Sequence, residues 1–216
     1  IRINNNSDWG ALSGNSWFQG SGTFLDPYII SNITINIPRF PYYTSSIRII
    51  NTTAYFIIQN CVVDYINIMN TTAYFIVQDC ALKDSPLYLA NVEKGLIYNN
   101  ELHKYGDYSL RLRDCYNVSI VRNNAFDGFR IRDSEKINVS NNVITDAFTG
   151  ISLSQSSNCS IWRNEIRLTD NYIRSNYVQI DYVTGIRIFG SYFNTITENH
   201  FYCIPNPFEG NGGLGN

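Results

Sequence analysis

Residues 51–61 read NTTAYFIIQNC and residues 70–80 read NTTAYFIVQDC, nearly the same text 19 positions apart. A recurrence at that interval decides the architecture, because internal repeats of fixed period mark stacked folds. Degenerate copies follow: NVEKGLIYNNEL from Asn91, DCYNVSIVRNNAF from Asp114, DSEKINVSNNVI from Asp133, SQSSNCSIWRNEI from Ser154 and GSYFNTITENHF from Gly190. Aligned on their cores, the copies place an aliphatic residue at Ile58, Val77, Ile97, Val121, Val139, Ile161 and Ile196. Three residues later the column reads Cys61, Cys80, Asn100, Asn124, Asn142, Asn164 and Asn199. Two residues further on it reads Val63, Leu82, Leu102, Phe126, Ile144, Ile166 and Phe201.

Each copy is preceded by a short alternating segment with apolar pairs at Ile47/Ile49, Ile66/Ile68, Leu87/Leu89, Leu110/Leu112, Phe129/Ile131, Ile151/Leu153 and Ile186/Ile188. A period of two puts one set of side chains inside and the other outside, as in a strand. Helical repeats need about 33 residues or more and a 3.6-residue period, and neither is present. The ladder residues lie 19, 20, 24, 18, 22 and 35 positions apart. Units of that size fit one coil of an all-β, single-stranded, right-handed parallel β-helix. Seven or more coils at ~4.8 Å each predict a rod of roughly 35 Å. In such a rod an Asn at the same bend of every coil bonds the amides above and below and satisfies backbone groups the bend exposes. Cys61 and Cys80 stand in that column about one strand spacing apart, within disulfide range but with side chains running parallel. A buried, reduced sulfur stack is therefore expected ahead of a disulfide, and Asn51 and Asn70 are expected at equivalent corners.

The pattern divides the single domain. Residues 1–46, with GNSWFQGSGTFLDPYII, are expected to cap the N-terminal end and lead into the first coil. Residues 47–203 form the coils, and within them 167–184 read as an additional coil or a protruding arm. Residues 204–216 are a Gly-rich tail.

Charged residues make up only 16% of the 216, aromatics 14%, and the net charge is −2. Without a basic run, nucleic acid is not an expected partner. No apolar run reaches the ~18 residues of a membrane span. Nothing at Ile1 resembles a signal peptide, as in a mature chain whose export signal has been removed. Export is the expectation from N-x-S/T sequons at Asn5, Asn32, Asn51, Asn70, Asn117, Asn138 and Asn158. Glycans on both Asn51 and Asn70 would crowd at one strand spacing, so at least one is expected to be bare. Five cysteines leave at least one unpaired within the chain.

GSGTFLDPYII (20–30) followed by FIIQNC (56–61) and repeated aliphatic-x-x-N-x-aliphatic units resembles secreted right-handed parallel β-helix repeat proteins. The variant is similar to archaeal surface proteins grouped with NosD-like and carbohydrate-binding or sugar-hydrolase repeats. The resemblance implies the fold and a secreted setting, while the same rod hosts lyases, hydrolases, adhesins and structural proteins.

For catalysis, Asp64, Asp84, Asp127 and Asp146 follow their ladder residues and would have to supply paired carboxylates. Short turns use Asp as well, and the NTD, DD and GHG patterns of the pectin hydrolases and the DPHE of the epimerases are missing, so no catalytic residue is assigned. One Met and two separated His, His103 and His200, give no metal set and no cofactor is expected. A partner strip has more material: Arg48, Asn67, Tyr88, Arg111, Arg130, Ser152 and Arg187 fall between the apolar pairs, with Arg113 and Arg132 close by. Such a strip suits an acidic polysaccharide or a partner's carboxylates, unless Asp114 and Asp133 neutralise it. The leading expectation is a glycosylated, non-catalytic structural rod at the cell surface that associates head-to-tail with copies of itself. The alternative is a β-helix that binds or degrades carbohydrate.

Overall fold

The computed structural model describes residues 1–36, 46–83, 86–103, 108–169 and 184–204. The expected tail beyond Ile204, most of the 167–184 excursion and Asp84 lie outside them. Nearly all the regular structure is β, wound into a solenoid of stacked parallel strands that matches a right-handed β-helix.

Three sheets run the length of the solenoid. Sheet A has eight strands, from Arg2–Ile3 and Ile47–Thr52 to Thr184–Phe189. Sheet B has nine, from Phe18–Gln19 and Tyr28–Ser31 to Thr195–Thr197, and sheet C has eight, from Thr34–Ile35 to His200–Ile204. Every pairing is parallel except that of Phe18–Gln19 with Tyr28–Ser31. Ile47 pairs with Ile66 and Ile66 with Leu87, so identical positions of successive copies stack. Parallel stacking begins at Arg2–Ile3, opposite Arg48–Ile49, and resumes at Tyr28, opposite Phe56. The coils therefore start within the segment expected to be only cap and lead-in, because YIIS carries the same inward alternation as FIIQ.

The alternation fills the interior with Ile, Leu, Val and Phe that are 0–1% exposed. At the N-terminal end Trp9, fully buried, stacks on Tyr28 at 4.6 Å and contacts Phe56 at 5.6 Å, while its indole N–H donates to Thr52 Oγ1. Phe56 stacks on Phe75 at 5.4 Å, and the next coil carries Gly95 in register with Phe75. A Cβ at Gly95 would meet the Phe75 ring at 2.4 Å, so a glycine makes room for the aromatic pair.

Between sheets B and C the chain turns in two residues. The first adopts positive φ: Asn60, Asp79, Asn99, Arg122, Asn141, Arg163 and Glu198, all at 52–57°. The second points inward and forms the ladder: Cys61, Cys80, Asn100, Asn123, Asn142, Asn164 and Asn199. The backbone N–H of each member donates to the side chain of the next: Cys80 to Asn100 Oδ1, Asn100 to Asn123, Asn123 to Asn142, Asn142 to Asn164 and Asn164 to Asn199, at 2.9–3.0 Å. Each Asn Nδ2 reaches back to a carbonyl of the preceding coil, as Asn100 does to Val77 at 2.9 Å and Asn199 to Ile161 at 2.8 Å.

The expected ladder residue Asn124 is therefore corrected to Asn123. Arg122 takes the left-handed bend, so its immediate successor is the residue turned inward. Asn123 is 1% exposed, whereas Asn124 is exposed at the start of a sheet C strand. The same coil shifts by one throughout: the core residues are Ile120 and Ala125, both 0% exposed, and not Val121 and Phe126. Phe126 lies outside, stacked on His103 at 4.7 Å.

At the corner from sheet A to sheet B, Asn51, Asn70, Asn91, Asp114, Asp133 and Gln155 take positive φ in the same way. The residues after them form a second inward file, Thr52, Thr71, Val92, Cys115, Ser134, Ser156 and Ser191. In it Cys115, Ser134 and Ser156 donate their N–H groups to the next serine hydroxyl at 3.0–3.1 Å. At the third corner, from sheet C to sheet A, one residue links Ala147 to Thr149 but fourteen separate Thr169 from Thr184. All of the large length variation along the coils falls there.

The ladder correction is directly testable by urea denaturation. Asn123→Ala should cost on the order of 3 kcal/mol, because it strands buried backbone groups in two coils. Asn124→Ala should stay within about 0.5 kcal/mol of the parent.

Candidate functional site

The strand register of sheet A brings the expected strip together. Arg2, Arg48, Asn67, Tyr88, Arg111, Arg130, Ser152 and Arg187 lie in one outward column, one per strand. The sequence reading missed Arg2, whose place is set by the pairing of Arg2–Ile3 with Arg48–Ile49. Arg113 and Arg132 occupy the neighbouring column, but each is held by the next residue, Arg113 by Asp114 at 3.2 Å and Arg132 by Asp133 at 2.9 Å. These exposed pairs contribute about 0–1 kcal/mol each, yet they neutralise that column. Asp114 and Asp133 thus serve Arg113 and Arg132, and the Arg130 guanidinium instead lies over the Tyr108 ring at 5.8 Å.

Tyr65, at the start of the face, is influenced by both Arg48 and Arg111. Burial pushes its hydroxyl pKa up, Tyr88 adds to that, and the two guanidiniums pull the other way. Between Arg48 and Tyr88, Asn67 Oδ1 is buried without a hydrogen-bond partner among the described residues. Arginine donors beside a buried acceptor make a surface that suits a ligand bearing both anionic and hydroxyl groups.

The candidate aspartates have a different local role. Asp127 and Asp146 take φ of 68° and 54°, the left-handed geometry that Asp adopts in turns. His103 Nε2 contacts Glu101 Oε1 at 2.8 Å, and His200 lies exposed on the last sheet C strand. Among the described residues no three His, Cys, Asp or Glu side chains converge as a metal set.

The sequons occupy distinct settings. Asn51 and Asn70 are at equivalent exposed corners, and Asn70 Nδ2 donates to Asn51 Oδ1 at 2.9 Å. Asn32, Asn117 and Asn158 also sit at exposed positive-φ corners, and Asn158 Nδ2 donates to Glu135. Asn5 caps the short 3-10 helix Asn6–Leu12, and Asn138 lies within a strand, accepting from Trp162 Nε1.

The sulfurs form no disulfide: all five cysteines are free, with Cys203 alone exposed. Cys61 and Cys80 imitate the ladder asparagines weakly, since Cys80 Sγ reaches Ile58 O only at 3.8 Å. The neighbouring Cys80 thiol holds the Cys61 pKa down, while Cys61 and burial push Cys80 up. Burial raises Cys115 from 9.0 to about 11.

The Cys115 shift has a stability consequence. A thiol protonated in the fold but ionised in the unfolded chain contributes fully below pH 9 and loses its contribution as pH rises towards 11. At ~1.4 kcal/mol per unit, about 3 kcal/mol should disappear across that window. The urea midpoint should fall between pH 9 and 11, and Cys115→Ser, which continues the serine file, should flatten part of that fall.

A family profile described as "Right handed beta helix region" matches residues 17–166, more than two-thirds of the chain. No curated protein and no solved structure gives a significant match. The matched span covers the ladder from Cys61 to Asn164 and all three sheets, and on that agreement of profile, register and winding the chain belongs to the right-handed β-helix family.

Proposed function

We propose that the protein is a secreted, glycosylated, non-catalytic structural rod at the cell surface, of the archaeal NosD-like type suggested by its sequence, joined end to end with copies of itself. The observation carrying this reading is the contrast between the two ends of the described solenoid. Core columns that are 0–7% exposed in earlier coils open at the last one, where Ile188 is 45%, Ile196 37% and Phe201 50% exposed. Phe189 and Phe193, 70% and 87% exposed, surround them. The N-terminal end presents half-buried Leu12, Trp17 and Phe18 over Trp9. An apolar face and three strand edges without a paired strand among the described residues need a covering layer, and the proposal assigns that layer to the N-terminal end of the next copy. The ladder does not cross this joint. Its N-terminal position is Ile33, whose side chain has no acceptor for the Asn199 N–H, so the contact is apolar packing.

Electron microscopy of the native protein should show particles longer than one rod with a repeat near the rod length. Ile188→Asp with Phe201→Asp should reduce them to single rods with an unchanged circular dichroism spectrum. Dispersed single rods of the parent protein would overturn the end contact.

A second reading has its own observation, the unpartnered Asn67 Oδ1 within the cationic column of sheet A. It assigns that face to an acidic polysaccharide running along the rod, with Arg48, Arg111, Arg130 and Arg187 taking carboxylates and Asn67 a hydroxyl. Arg111→Ala with Arg130→Ala should weaken retention on an acidic polysaccharide by about tenfold or more while leaving assembly intact. Unchanged retention removes this site.

A further inference from the structure

Every residue of sheet B is described, and no outward position on it carries a charge. Ile29, Ile57, Ile76 and Leu96 form an aliphatic stripe along its N-terminal half. Tyr98, Val121 and Trp162 stand in the adjacent column. The remaining positions hold only Ser, Thr, Asn or Gln, with Gln78 Nε2 donating to Gln59 Oε1. By contrast, sheet A has its arginines, and sheet C exposes Glu101, Glu165 and Arg167. The large differences in length between coils fall at the corner between sheets C and A, which does not border sheet B.

We propose that sheet B docks against sheet B of a second copy, the two rods lying side by side and parallel about a two-fold axis along the rod. The inference rests on the reading of the protein as a structural rod but uses a different surface from the end contact. A face that meets itself must not repel itself, and this one has no charge to do so. With its bordering rows it measures ~20 Å by ~34 Å, or about 700 Å² per copy, and about 1,400 Å² in a pair falls in the range of specific interfaces. Two sheets packed face to face stand ~10 Å apart, close enough to exclude water from the aliphatic stripe.

The bordering rows choose the direction. Before sheet B the stacked positions are Tyr74, Lys94, Asn117, Lys136 and Asn158, and after it Asp79, Asn99, Arg122, Asn141 and Arg163. In the parallel pair each row meets the other at the same height. Lys94 then faces Asn99, Lys136 faces Asn141, Arg122 faces Asn117 and Arg163 faces Asn158. An antiparallel pair centred on the Asn117 coil sets Lys94 against Lys136 and Arg122 against its own copy, with Asp79 against Arg163 as its one attractive pairing. Like charges in contact disfavour that arrangement.

Sedimentation equilibrium of the full chain tests the proposal. The parent should dimerise reversibly, and Ile76→Lys with Leu96→Lys should raise the dissociation constant about tenfold or more. Asn141→Glu, facing Lys136 of the second copy, should tighten the dimer about threefold, and Asn141→Lys should loosen it by a similar factor. Ile188→Asp with Phe201→Asp should leave this dimer intact, which separates it from end-to-end joining. Glycans at Asn117, Asn138 or Asn158 would stand inside the contact, so mass spectrometry of the dimer should find all three bare. A monomeric parent, a dimer indifferent to lysines at 76 and 96, or a glycosylated Asn117 within the dimer would overturn the face. A dimer indifferent to charge at 141 would overturn the parallel arrangement. Retention of a monomer on an insoluble uncharged polysaccharide, abolished by the 76/96 variant, would give the face to sugar instead.

Discussion

The structure depends on one directional contact, in which the ladder side chain of each coil satisfies the corner backbone of the coil before it. The left-handed residue at the corner turns backbone groups inward where water cannot reach them. Leaving them unpaired would cost about 1–3 kcal/mol each, repeated in every coil. An asparagine answers both needs, accepting the N–H with Oδ1 and donating Nδ2 to a carbonyl, as Asn142 does for Asn123 and Ile120. Because the bridge is about one strand spacing long, it also fixes how coils lie on one another, and the three sheets inherit their register from it.

The tolerances of the rod follow from this contact. Where the first coils carry Cys61 and Cys80, sulfur keeps the contact to the carbonyl of the preceding coil at a longer reach of 3.8 Å. The file at the corner from sheet A to sheet B is less demanding, and Thr, Val, Cys and Ser all occupy it. The corner from sheet C to sheet A absorbs the insertions, and among the described residues it carries serine bridges at separate coils, Ser46 to Asp64 and Tyr65 and Ser109 to Asp127 and Gly128. One edge of the rod is thereby free to vary in length while sheet B keeps its register. Burial governs the thiols accordingly, raising Cys115 and Cys159 because an ionised sulfur has no counterion in the core.

The coil and its strands were legible because burial on one side of a strand imposes a period of two, and stacking imposes recurrence. The reading failed at Asn123-Asn124, where two adjacent amides offer two alignments. Phe126, larger than Ala125, favoured the wrong one, because a sequence does not show which residue takes positive φ. Left-handed corners filled by Arg122, Arg163, Lys136 and Glu198 carry no glycine to announce them. The arginine column was legible from strand alternation, but the capture of Arg113 and Arg132 by their neighbouring aspartates, and the isolation of Asn67 Oδ1, were not.

By itself the sequence determined that this chain winds into a parallel β-helix with an amide ladder, since periodicity and repetition are properties of the linear order. Only the tertiary structure decided which residues share a face. Strands far apart in the chain become neighbours through the register, so the cationic column of sheet A and the uncharged face of sheet B exist only after winding. The physical reason is that a coil's height and direction are set by hydrogen bonds to the coil before it, and the strand's own residues do not encode them.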